Sequence, residues 1–142
     1  MYLGLLAAAS NIGVQPGPFV VRDNVQPETD TPVTCWPQIY MAAPTNSLGP
    51  ATITGNNLRT LAWGIVLGRV SHADVERNTT TFIPGFGCGV STGVELNDVP
   101  SGLITHNTFI GANPVATLNS SAATVCGNRT TAKGRYDQPE PC

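Results

Sequence analysis

Four side chains near the middle of the sequence are of the types that move protons: Arg69, His72, Glu95 and Asp98. A histidine and a carboxylate within reach of one another can share acid and base roles, one releasing the proton that the other takes. These four fall at or near equivalent turns of neighbouring repeats, so they form one mixed candidate catalytic patch, with a solvated polar turn as its competing reading. Ser71-His72-Ala73-Asp74 is not expected to be a catalytic triad, because neighbours on one strand or turn cannot converge on a single nucleophile. Binding Ca²⁺ takes several oxygen ligands, chiefly carboxylates, and no acidic cluster is evident. No metal site and no cofactor are therefore expected, with Ca²⁺ the one ion left open.

The four cysteines, Cys35, Cys88, Cys126 and Cys142, stand 53, 38 and 16 residues apart. Those spacings match no zinc module and no CxxC redox motif. Free or loosely paired thiols are the first expectation and at least one disulfide the second. Cys35 and Cys88 lie in loops on the same side, about 10 Å apart at the usual strand spacing, a gap that flexible loops could close. The sequence indicates no partner for Cys126 or Cys142. Asn78-Thr79-Thr80, Asn119-Ser120-Ser121 and Asn128-Arg129-Thr130 are sequons that a secretory pathway could glycosylate.

The elements that carry these residues must come from a single domain, since 142 residues suffice for one core and not two. The expected division is a cap over residues 1–11, repeats over 12–131 and a tail over 132–142, with residues 1–10 as a short helical plug. Only 11% of the residues are charged, while Gly, Pro, Thr and Asn abound, which is the chemistry of strands and turns. A net charge of -2 with no basic run argues against a nucleic-acid partner. The opening MYLGLLAAAS is too short to span a bilayer and has no basic lead-in, so no membrane association is expected.

A repeat organises the rest. FVVRDN, ATITGN, ADVERN, GLITHN and ATVCGN end at Asn24, Asn56, Asn78, Asn107 and Asn128, with gaps of 32, 22, 29 and 21. Three residues before each asparagine stand Val21, Ile53, Val75, Ile104 and Val125; five before stand Phe19, Ala51, Ala73, Gly102 and Ala123. Such alternation is that of a strand with one buried face. Another strand precedes it, with Ile65, Val94 and Val115 in register, and a third follows, with Leu58, Thr80, Phe109 and Thr130. Asn tolerates the left-handed backbone of a tight turn, and amides stacked at one level can hydrogen-bond as a ladder. The expected fold is all-β: a right-handed parallel β-helix of about five rungs, with three short parallel sheets. The uneven gaps leave a β-sandwich as the competing fold.

GIVLGRVSHADVERNTTTF, residues 64–82, and GVELNDVPSGLITHNTFIG, residues 93–111, resemble the rungs of the right-handed parallel β-helix repeat family, the pectin-lyase-like proteins. The resemblance extends over residues 12–131 and concerns fold more than activity. In that family, loops inserted between rungs wall a carbohydrate groove beside the first sheet. Here the two insertions, about 27–45 and 83–92, carry Trp36, Tyr40 and Phe86, which the resemblance makes candidate ligand contacts that would stack on sugar rings. Lyases of this fold hold Ca²⁺ on clustered carboxylates beside a basic residue, and hydrolases use two or three close aspartates. Neither set is evident here: Glu95 stands alone on its face, and Asp74 and Glu76 have Thr52, Thr54, Leu103 and Thr105 as neighbours in adjacent repeats.

The resemblance thus implies a protein that binds or processes polysaccharide, a piece of a larger lyase- or hydrolase-like solenoid being one form of it, and an extracellular or cell-surface setting. The alternative is a structural solenoid without catalysis, such as a tailspike or adhesin segment. That alternative would self-associate end to end or as a trimer, whereas the first reading expects acidic oligosaccharides to bind.

Overall fold

The computed structural model describes residues 6–7, 17–28, 35–43, 47–84, 88, 92–111, 113–120, 122–132, 135–136 and 142. The described residues form strands and turns with no helix, so no helix is long and apolar enough to cross a membrane. Fifteen strands run in chain order: β1 (Leu6–Ala7), β2 (Phe19–Arg22), β3 (Ile39–Ala42), β4 (Ala51–Thr54), β5 (Asn57–Thr60), β6 (Trp63–Gly68), β7 (Ala73–Glu76), β8 (Thr79–Phe82), β9 (Thr92–Asn97), β10 (Gly102–Thr105), β11 (Thr108–Ile110), β12 (Asn113–Leu118), β13 (Ala123–Cys126), β14 (Arg129–Ala132) and β15 (Arg135–Tyr136).

They assemble into three five-stranded sheets. The first is ordered β1-β3-β6-β9-β12, the second β2-β4-β7-β10-β13 and the third β5-β8-β11-β14-β15. From β3 to β14, consecutive strands visit the first, second and third sheets in turn, and each strand from β3 to β11 pairs in parallel with the strand three places later. The exception is β15, which returns antiparallel along β14. Three parallel sheets are incompatible with the antiparallel β-sandwich and consistent with a β-solenoid.

Register follows the apolar alternation. Val21, Ile53, Val75, Ile104 and Val125 are successive partners across the second sheet, as are Phe19, Ala51, Ala73, Gly102 and Ala123. Leu58, Thr80, Phe109 and Thr130 line up across the third. The innermost of these side chains, with Ile65, Leu67, Val94 and Leu96 from the first sheet, have no solvent exposure and form the core. Each such apolar side chain contributes roughly 1.5–3 kcal/mol. Phe109 reaches its place because Gly93 has no side chain: a Cβ there would collide with the edge of the phenyl ring.

Four sequence-based expectations are corrected. The first insertion is not all loop: its residues 39–42 are strand β3, with Ile39 paired to Ile65 and Tyr40 to Val66. The left-handed turn residue is not the asparagine but the one before it, namely Asp23, Gly55, Arg77, His106 and Gly127, with φ between 53° and 68°. Leu6 and Ala7, within the expected helical plug, pair as a strand with Tyr40 and Met41. The thiols are neither free nor loosely paired. Cys35 is bonded to Cys88 and Cys126 to Cys142, with Cα atoms 5.6 and 4.9 Å apart. The first bond joins the segment before β3 to the connection between β8 and β9, and the second joins the last residue of β13 to Cys142.

The asparagines do form a ladder. Asn24, Asn56, Asn78 and Asn107 each donate from Nδ2 to Oδ1 of the next asparagine along the chain, at 2.8, 2.8, 3.0 and 3.0 Å. Each of those Oδ1 atoms also accepts the backbone N–H of the preceding asparagine, at 2.9–3.1 Å. From Asn56 to Asn128, Nδ2 further donates to a core-strand carbonyl: Val21, Ile53, Val75 and Ile104 in order. Asn56, Asn78 and Asn107 are buried, so these bonds satisfy amides that would otherwise be stranded away from water.

Candidate functional site

The outer face of the first sheet carries a cavity of about 580 Å³, lined by Cys35, Trp36, Pro37, Tyr40, Trp63, Val66, Glu95 and Asn97. Sheet pairing builds its floor, since Tyr40, Val66 and Glu95 are successive partners on β3, β6 and β9. Trp36 and Pro37 lead into β3, and the Cys35–Cys88 bond fastens that segment to the connection between β8 and β9. Trp36 is 71% exposed, an uncommon state for so large an apolar ring and one that presents its face to solvent.

Glu95 is held in place from two sides. The Trp63 indole Nε1 donates to its Oε2 at 2.9 Å, and the Asn97 amide donates to its Oε1 at 3.0 Å. Both carboxylate oxygens keep lone pairs for a further partner. Glycoside hydrolysis by the usual route requires a second carboxyl group across the sugar. Among the described lining residues Glu95 is the only acid, and none is a histidine, lysine or arginine. The lining offers a rigid acceptor between aromatic surfaces, which is the equipment of a binding site.

The other proton-moving candidates lie in different settings. Arg69 and Asp98 are left-handed turn residues at equivalent places in adjacent repeats, as is Asn119. Arg69 Nε approaches Asp98 Oδ2 at 3.5 Å, and Asn119 Nδ2 donates to Asp98 Oδ1 at 3.1 Å. The Arg69 and Asp98 side chains are 41% and 44% exposed, and a pair so open to water contributes about 0–1 kcal/mol. His72 lies between Ser101, whose Oγ is 2.8 Å from Nδ1, and Asp74, whose Oδ1 is 3.0 Å from Nε2. Residues of one strand do not make this relay; Ser101, from the next repeat, completes it. The serine hydroxyl is also 3.4 Å from the Ser71 carbonyl. None of Ser101, His72 and Asp74 lines the aromatic cavity.

Of the three sugar-stacking candidates, Trp36 and Tyr40 meet in the cavity, and Phe86 lies outside the described residues. Trp63 and Asn97 join them unforeseen. Trp63 is in phase with the inward Ile65 and Leu67, so alternation assigns it to the core. It instead opens β6 at a sheet corner, where its ring is only partly buried and turns toward Glu95. No family model, curated protein or solved structure matches the chain.

A second cavity, of about 610 Å³, lies where β7, β10 and β13 end, between Glu76, Arg77, His106 and the Cys126–Cys142 bond. Among the described residues no three His, Cys, Asp or Glu side chains stand together as metal ligands. Of the sequon asparagines, Asn78 is buried with its amide fully engaged in the ladder, Asn128 ends the ladder half-buried, and Asn119 is exposed.

Proposed function

We propose that the chain is a right-handed parallel β-helix of about five rungs, akin to the pectin-lyase-like proteins, and that it binds carbohydrate in the groove on its first sheet. Cyclic strand order, unbroken register and the asparagine ladder support the scaffold. The aromatic groove with its anchored carboxylate carries the functional reading: Trp36, Tyr40 and Trp63 offer ring faces, and Glu95 accepts hydroxyl protons. Binding is the proposed activity, since the described residues of the groove lining include no acid–base pair. The chain has two tryptophans, and both line this groove, so its intrinsic fluorescence reports the site directly. Titration with neutral and charged oligosaccharides should give a saturable change in emission without release of reducing or unsaturated ends. Unchanged emission with every sugar up to millimolar concentration refutes the reading.

A second reading, an assembling structural solenoid, has one observation in its favour. Val20 and Val25, on the first level of the stack, are 58% and 71% exposed. Sedimentation across a hundredfold range of concentration decides it: a constant monomer removes the reading, and growth into linear or trimeric species supports it.

A further inference from the structure

We infer that the glycan suited to this groove is cationic: an amino-sugar oligosaccharide whose ammonium group lies against Glu95 while its rings lie on Trp36, Tyr40 and Trp63. The inference rests on the carbohydrate reading of the same groove and adds the charge of the ligand. Three features carry it. Glu95 is the single charged side chain among the described lining residues, so that lining is negative and holds no cation. A uronic acid would bring its carboxylate toward Glu95 with no arginine or lysine between them, and like charges at close range repel.

The carboxylate is also fixed as an acceptor. With the Trp63 indole on one oxygen and the Asn97 amide on the other, Glu95 cannot swing away, and the hydrogen-bond donors must come from the ligand. An ammonium group supplies three donors and a full charge, and charge-assisted bonds are about twice as strong as neutral ones. Finally, aromatic faces beside an anion are the surroundings that favour organic cations, because the ring quadrupole is negative over each face. A neutral sugar can use the rings and share the acceptor; only a cation uses all three features.

The test compares glucosamine oligomers, their N-acetylated counterparts and galacturonate oligomers of equal length. Each is titrated by tryptophan fluorescence and calorimetry at a pH where the amines are protonated. We expect the glucosamine oligomer to bind about tenfold tighter than the acetylated one, and the galacturonate oligomer to bind weakest. Glu95→Gln should remove the preference for the amine, so that the glucosamine and acetylated oligomers bind within about twofold of one another. Glu28→Gln, which removes the same charge from an exposed turn away from the groove, should leave the preference intact and so excludes general attraction to an acidic protein. Trp36→Ala, at an exposed position, should weaken cationic and neutral sugars alike.

Binding of all three sugars with no preference, or a preference that Glu95→Gln does not change, overturns the cationic assignment and leaves the carbohydrate reading standing. Absence of binding by every sugar overturns both.

Discussion

Truncating Asn78 to alanine removes four hydrogen bonds at once. Its Oδ1 accepts the Asn56 N–H at 3.0 Å and the Asn56 side-chain amide at 2.8 Å; its Nδ2 donates to the Ile53 carbonyl at 2.9 Å and to Asn107 Oδ1 at 3.0 Å. The Asn56 side-chain amide keeps the Val21 and Thr54 carbonyls, but the buried Asn56 backbone N–H loses its acceptor. An orphaned buried donor costs about 1–3 kcal/mol, and each of the three other lost bonds about 0.5–1.5 kcal/mol, so the total is about 5 kcal/mol. Asn24→Ala differs sharply, because the Asn24 amide only donates, to Asn56 Oδ1 and to the exposed Arg22 carbonyl. That substitution orphans no buried donor and should cost about 1 kcal/mol. Asn128→Ala falls between the two, since it strands the Asn107 N–H at the other end of the column. At a urea slope of about 2 kcal/mol per molar, the unfolding midpoint should fall by about 2.5 M for Asn78→Ala and by about 0.5 M for Asn24→Ala. Equal losses in the two variants, or an order that places Asn24 above Asn128, would refute the ladder as the source of the stability.

Three further outcomes are expected. Thr80 is fully buried and its hydroxyl has no hydrogen-bond partner among the described residues, so Thr80→Val should raise stability by about 1–2 kcal/mol, read as a melting temperature higher by several degrees. Gly93→Ala drives a methyl group into the Phe109 ring and should destabilise by about 1–3 kcal/mol in denaturant titration, whereas no change would mean that the ring can move aside. Replacing Cys35 and Cys88 together by serine opens a link across 53 residues, worth about 4 kcal/mol in chain entropy. Since that link also seats Trp36, the double variant should weaken sugar binding several-fold by fluorescence titration while keeping a strand-type circular dichroism spectrum.

The sequence displays the second and third strands of each repeat because each asparagine fixes their register at short range, and the residues three and five before it pair as the alternation implies. Strand β3 escapes the same alignment. Ile39 stands 17 residues before Asn56, whereas Ile65 stands 13 before Asn78, because extra residues separate β3 from β4. Counting back from the asparagine therefore misses the strand and reads Tyr40 as a loop residue. The asparagine also drew the wrong structural role: what repeats is its amide, while the left-handed backbone belongs to a neighbour that changes from Asp to Gly, Arg and His. Trp63 shows the limit of alternation at a strand's first residue, where a corner frees the side chain from the phase of its strand. Three of the four cysteines, Cys35, Cys88 and Cys142, lie in segments outside the repeated strands, and spacing alone carries no information about the paths of those segments.

The asparagine column has a direction. Each of its four amide-to-amide bonds runs from a donor on the N-terminal side to an acceptor on the C-terminal side, so the bond dipoles add along its length and its two ends differ as a plug differs from a socket. A two-fold axis at either end would bring like to like, donor against donor or acceptor against acceptor. Any assembly that continues the column must therefore be heterologous, adding copies head to tail. Growth of that kind has no built-in point of closure, and a chain of this type stays finite only where something other than the ladder caps it.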